Sequence, residues 1–195
     1  MKKEKLVDYI LHLKNWIPKK ITKKTVKEIS KKTWEPHTHI DFKNLKTIVK
    51  KNELDVCWSE DSLTYNKELH DLIWKALEKY ILKEYKNKYH RTWAGFSFIK
   101  FNRYNKGQIM TKHIDHIKSL FDGERKGNPT LSLIGALNDN YSGGELIFFD
   151  DYKITLKEGD ILLFPSNFMY PHKVKPVTKG KRYSLVVWHL GQPFI

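Results

Sequence analysis

Residues 181–190 read KRYSLVVWHL. Side chains alternate along a strand, so Arg182, Ser184, Val186 and Trp188 share one face, and His189 belongs to the other, outward one. A guanidinium among apolar neighbours is costly unless an anion pairs with it. An inward Arg182 therefore predicts either a structural ion pair or a small anionic ligand. Its planar fork matches a carboxylate in a way that a lysine cannot.

The two-residue period extends upstream. From residue 92 the candidate strands are 93–101, 108–114, 130–138, 144–149, 152–156, 160–164, 170–175 and 181–190. Turn signals such as Asn105-Lys106-Gly107, Ser142-Gly143-Gly144 and Glu158-Gly159-Asp160 separate them. Eight short strands with tight turns suggest a barrel or a two-sheet jelly roll. Residues 1–91 read as mainly helical. Leu6, Tyr9, Ile10 and Leu13 recur at helical spacing up to Pro18, Thr25–Ile29 begins a second short helix, and residues 64–88 carry a 3.6-period stripe from Leu69 to Ile81. The class is α+β. A double-stranded β-helix (jelly-roll) core over 92–195 is preceded by a Lys-rich helical part, 1–91, that packs outside one sheet, all in a single compact domain.

The totals bound the function. A chain of 195 residues that is 40% hydrophobic and 13% aromatic can bury one substantial core. One cysteine permits no internal disulfide, and no stretch approaches the roughly 18 apolar residues of a membrane span, so a soluble, cytoplasmic protein without membrane contact is expected. The formal charge is +14, and residues 1–51 hold 15 Lys against 5 acidic groups. Such a segment can attract phosphates or acidic polypeptides, although 32 Lys against 4 Arg also reflects a coding bias.

Residues 112–117, KHIDHI, put His113 and Asp115 two apart, on one side of a strand end. Two such ligands hold a metal weakly, so a third is needed. Two histidines and one carboxylate, leaving open positions, suit a non-haem Fe(II) oxygenase. His172, on the penultimate strand, is the candidate third ligand. The same tripeptide at His39-Ile40-Asp41 lies in the Lys-rich part without a strand pattern around it, and is read as surface. His116 is out of phase with the ligand face and is placed in a loop.

Taken in order, Arg103-Tyr104 with Gly107, His113-x-Asp115, Leu137-Asn138, Gly143-Gly144-Glu145, Phe164-Pro165, His172 and Gly180-x-Arg182-Tyr183-Ser184-Leu185 with Trp188 resemble the catalytic domain of the prolyl 4-hydroxylase-like 2-oxoglutarate/Fe(II) dioxygenases. The resemblance covers residues 96–190, about half the chain. It implies Fe(II) held by His113, Asp115 and His172, and 2-oxoglutarate chelating the iron while its far carboxylate pairs with Arg182. Tyr104 would be a hydrogen-bonding neighbour, and Trp188 would line the pocket. Dioxygen then drives decarboxylation to succinate and CO2 with hydroxylation of a C–H bond, and ascorbate is a candidate accessory reductant. The chain departs from the family where a large aromatic often stands, with Gly135-Ala136, and where a Thr often stands, with Ser132. Ser132 is expected to serve the cosubstrate as a hydrogen-bond donor. Residues 117–128, with Ile117, Leu120, Phe121 and Arg125, form the expected lid over the substrate.

The substrate implied by the resemblance is a prolyl residue in a protein or peptide. Two alternatives stand beside it. One is the same chemistry on nucleic acid or nucleotides, through the basic N-terminal segment, although the second Arg beyond the cosubstrate Arg that such enzymes tend to carry is missing here. The other is an inactive jelly-roll binding module.

Overall fold

The computed structural model describes residues 4–41, 43–44, 46–58, 60–84, 95–115 and 128–191. Among them the N-terminal part runs β1 (Leu11–Leu13), α1 (Lys19–Ile29), β2 (Glu35–Pro36), β3 (Thr38–Asp41), β4 (Lys46–Val49), β5 (Asp55–Cys57) and α2 (Asn66–Glu78). It continues with β6 (Lys100–Tyr104), β7 (Met110–His113), β8 (Asn128–Ala136), β9 (Ser142–Gly143), β10 (Leu146–Phe148), β11 (Tyr152–Ile154), β12 (Ile161–Pro165), β13 (His172–Val174), β14 (Val177–Lys179) and β15 (Arg182–Gly191).

One sheet has the order β1-β12-β8-β15-β6-β5-β2 and the other β11-β10-β13-β7, with every pair in both antiparallel. From β6 to β15 the chain crosses repeatedly between the two sheets, with β10 and β11 adjacent in the shorter one and β9 and β14 paired apart from both, and two such facing antiparallel sheets make a jelly roll. The longer sheet is buried on both faces. Ile134, Ala136, Leu162, Phe164 and Val186 meet Met110, Leu146, Phe148 and Val174 of the second sheet. Their alternates, Leu131, Leu133, Leu163, Leu185 and Val187, meet Ile21 and Ile29 of α1 and Leu69, Ile73 and Leu77 of α2. Burial on two faces is why these strands read as nearly continuous apolar runs instead of a clean alternation. Each helix presents a single apolar stripe to the sheet, as the sequence pattern predicts.

The N-terminal third differs from a purely helical support. Leu6–Tyr9 is a 3-10 turn, and β1 then pairs with β12, because Leu11 and Leu13 meet a free sheet edge there. Pro18 precedes α1 instead of ending a helix, since its missing N–H costs nothing at a helix start. Thr25–Ile29 is consequently the end of α1, not the start of a helix. The long helix is regular over Asn66–Glu78 and continues as a π-turn to Glu84, and residues 85–88 lie outside the described part. His39-Ile40-Asp41 does lie in a strand, β3, paired with β4. Upstream of β6, residues 95–99 do not form the expected regular strand, and residues 93–94 lie outside the described part. Gly95 takes φ +106, and Phe96 makes only an isolated bridge to His189. His189 occupies the face opposite Arg182 as expected, but the helix layer covers that face, so its ring is buried and hydrogen-bonded to Thr130.

Candidate metal centre

His113 ends β7 and His172 begins β13, and the two residues are register partners on neighbouring strands. Asp115 follows two residues after His113. The three side chains offer ligand atoms that all lie within 4.8 Å of one another, and among the described residues they are the group able to hold a metal ion. His113 Nε2 is 3.4 Å and His172 Nε2 3.9 Å from Asp115 Oδ1. With metal–ligand bonds of about 2.1 Å, neighbouring corners of an octahedron stand about 3 Å apart, so a small inward adjustment completes the set.

Hydrogen bonds orient each donor. His113 Nδ1 faces the Thr111 carbonyl at 2.9 Å and His172 Nδ1 the Tyr170 carbonyl at 3.1 Å. A ring nitrogen facing a carbonyl must carry the proton, so in both rings the Nε2 lone pair is free and turned toward Asp115. Phe148 and Phe164 pack against the His172 ring, with centroids at 5.3 and 5.0 Å. Burial pushes the His172 imidazole down to about 4, so it is neutral and ligand-ready at physiological pH. Burial alone would raise the Asp115 carboxyl. The imidazoles of His172 and His113 and the Ser132 hydroxyl outweigh it and hold the group ionised, well below the ordinary carboxylate range.

Ser132 corrects an expectation. Its hydroxyl donates to Asp115 Oδ2 at 2.6 Å and also meets Ser166 Oγ at 2.6 Å. A hydroxyl has one proton, so Ser166 is the donor in the second bond and Ser132 has none left for a cosubstrate. It aims the carboxylate, leaving Oδ1 for a metal. Of the small pair, Gly135 faces away from the pocket, where an added Cβ would come 2.9 Å from Leu185 Cγ, and Ala136 belongs to the core between the sheets.

A pocket lined by both His ligands and Asp115 connects this centre to Arg182. Arg182 is only 3% exposed, and its register partner is Tyr104. The guanidinium lies 4.8 Å from the Tyr104 ring centre and donates to Ser184 Oγ at 3.1 Å. Among the described residues no carboxylate pairs with it. Burial raises the Tyr104 phenol to about 12, which keeps its proton available for donation. The turn before β10 is shaped to this cation: Gly144 has φ +67, and a Cβ there would sit 3.0 Å from Arg182 Cδ. Trp188 lines the other end of the pocket.

Two lining residues were missed in the sequence. Lys100 and Asn102 share the inward face of β6 with Tyr104, a parity visible in KFNRY, but a strand drawn at 93–101 left the period through Tyr104 unread. Asn102 is buried with Oδ1 unpartnered, a polar group aimed at a ligand site. His39 stands outside the three-ligand group, its Nε2 3.7 Å from Glu53 Oε1 and its ring against His37. Ile117, Leu120, Phe121, Arg125 and His116 lie outside the described residues.

Comparison with known proteins agrees with this geometry. The sequence pattern of the 2OG-Fe(II) oxygenase superfamily matches residues 99–190. A PKHD-type hydroxylase of Shewanella sp. (strain MR-7) is 38% identical over 92 residues, which are 45% of this chain and 40% of that protein, so the match spans about two-fifths of the relative's length. Two crystal structures share the fold at 17% identity. A Pseudomonas putida prolyl-4-hydroxylase has a TM-score of 0.70, covering 95% of this chain and 94% of that one. The viral collagen prolyl hydroxylase of Paramecium bursaria Chlorella virus-1, in complex with 2OG, has a TM-score of 0.69, covering 95% and 97%. Residues 99–190, which hold every ligand and pocket residue described above except Leu54, therefore belong to the 2OG-Fe(II) oxygenase superfamily.

Proposed function

We propose that the protein is an Fe(II)- and 2-oxoglutarate-dependent dioxygenase that hydroxylates a prolyl residue in a protein or peptide. The observation that carries the chemistry is the joining, in one pocket, of a His-Asp-His donor set to a buried guanidinium that has no acidic partner among the described residues. His113, Asp115 and His172 would hold the metal. When bound, iron supplies activation of dioxygen and the oxidation that the protein's own side chains cannot perform. Arg182 accepts the distal carboxylate of the cosubstrate, with Tyr104 and Ser184 beside it. The apolar walls, Ile134, Val174, Val186 and Trp188, exclude water from the reacting end. The prolyl specificity is supported by the names of the structural relatives, two of which are prolyl hydroxylases. Since β1, β2 and β5 complete the longer sheet, we read residues 1–91 and 92–195 as one domain.

The test is an anaerobic titration of Fe(II)-loaded protein with 2-oxoglutarate, following the visible charge-transfer band of the chelate. The band is expected in the wild type and in His39→Ala, and absent in Asp115→Ala. A folded wild-type protein that gives no band would refute the proposal.

A further inference from the structure

We propose that Lys100 is a second anion anchor of this pocket, holding the cosubstrate carboxylate that lies against the metal, so that cations grip the dicarboxylate at both ends. The inference rests on the dioxygenase reading and adds to it a residue whose charge holds the cosubstrate at the metal end.

Lys100 and Arg182 lie at opposite ends of the pocket. In the ladder between β6 and β15, Arg182 pairs with Tyr104 and Val186 with Lys100, so four residues separate the two cationic rungs, about 13 Å of strand. The Lys100 ammonium extends further from Arg182, to 4.7 Å from the centre of the Trp188 ring. Trp188 is the register partner of Ser132, the residue that holds Asp115. Lys100 is thus placed at the level of the metal ligands, and Asp115 is the one acidic group whose field it feels appreciably. Among the described residues it makes no ion pair, and its ammonium lies over the Trp188 ring.

That position has an electrostatic consequence. Asp115 supplies one negative charge, already committed to the metal and to Ser132. A divalent ion placed there leaves a net positive centre, with a largely desolvated ammonium beside it. Like charges at such range repel strongly in a low-dielectric pocket. The cluster is relieved when another anion arrives, and the carboxylate at the chelating end of 2-oxoglutarate is the anion this site must accept. Lys100 therefore disfavours the metal alone and attracts the cosubstrate carboxylate, so that it strengthens 2-oxoglutarate binding at the metal end of the pocket.

The experiment uses the full chain with Mn(II) in place of iron, so that binding is read without turnover. Calorimetry gives the 2-oxoglutarate affinity of the Mn(II) protein, and electron paramagnetic resonance gives the Mn(II) affinity with and without 2-oxoglutarate. In Lys100→Met, which keeps an unbranched stem against Trp188, cosubstrate affinity is expected to fall about 10–100-fold. Mn(II) affinity without cosubstrate should hold or rise. Lys100→Arg should retain most of the cosubstrate affinity. Wild-type cosubstrate affinity in Lys100→Met would overturn the proposal and turn the ammonium toward the substrate instead. If Lys100→Met loses both ligands, Lys100→Arg decides: recovery supports the anchor, and failure to recover overturns it. A wild-type Mn(II) protein that binds no 2-oxoglutarate refutes the dioxygenase reading itself, a pattern distinct from a Lys100→Met protein that binds normally.

Discussion

Ser132→Ala removes one hydroxyl from a fully buried position and leaves the three candidate metal ligands untouched. The lost contact is the 2.6 Å bond that Ser132 donates to Asp115 Oδ2. A hydrogen bond to a charged group contributes about 1.5–3 kcal/mol, and leaving a buried carboxylate oxygen without its donor forfeits that amount. Ser166 bonds Ser132 Oγ at 2.6 Å and makes no bond to Asp115, so it cannot substitute without moving. At about 1.4 kcal/mol per decade, metal affinity should fall about 10–100-fold, the range usual for groups that orient a ligand from behind. The assay is Mn(II) or Fe(II) titration under anaerobic conditions, with 2-oxoglutarate affinity measured at saturating metal. The metal constant should move and the cosubstrate constant should stay. Ser132→Thr should keep metal affinity near that of the wild type, since it retains the hydroxyl. The reverse pattern, an unchanged metal constant with weakened 2-oxoglutarate, would restore Ser132 to the cosubstrate and refute the assignment.

Two further outcomes follow from packing and charge. In Gly135→Ala the new methyl would lie 2.9 Å from Leu185 Cγ and 3.3 Å from Ile17 Cδ1, in the core between sheet and helices, so stability should drop by about 1–3 kcal/mol in urea unfolding with metal binding intact; an unchanged midpoint would show that the helix layer yields freely. Asp160 ties the turn before β12 to the N-terminal segment by accepting from the Lys157 and Asn15 amides and facing His12 Nε2 at 2.8 Å. Burial would raise its carboxyl, but those amides and His12 outweigh it and the folded value lies below the ordinary 3.8. Its contribution is therefore complete above that pH and is lost as the pH falls through the lower folded value. Asp160→Asn should cost about 1.5–3 kcal/mol at neutral pH, a gap that narrows on acidification; a gap independent of pH would show that the charge contributes nothing.

The sequence by itself determined the features that are local or periodic. Alternation in KRYSLVVWHL placed Arg182 and Trp188 on the inward face and His189 on the other, and the two-residue spacing in HID put His113 and Asp115 side by side. His172 could be proposed because few histidines remained downstream, but only the pairing of β13 with β7 brings it opposite His113. Tertiary structure alone decided the rest, because parity says which side a residue takes and nothing of what occupies that side. The face read as outward on β15 is covered by helices, so His189 is buried. Ser132 could serve the cosubstrate or the carboxylate until the chain brought Asp115 within 2.6 Å of it. Lys100 looked like one lysine among 32 until the ladder with β15 set it beside Trp188 at the metal end of the pocket. The N-terminal segment was misread for the same reason. Short stretches such as Leu11–Leu13 and Thr38–Asp41 carry too little pattern to choose between helix and strand, and a free sheet edge or a pairing partner made the choice.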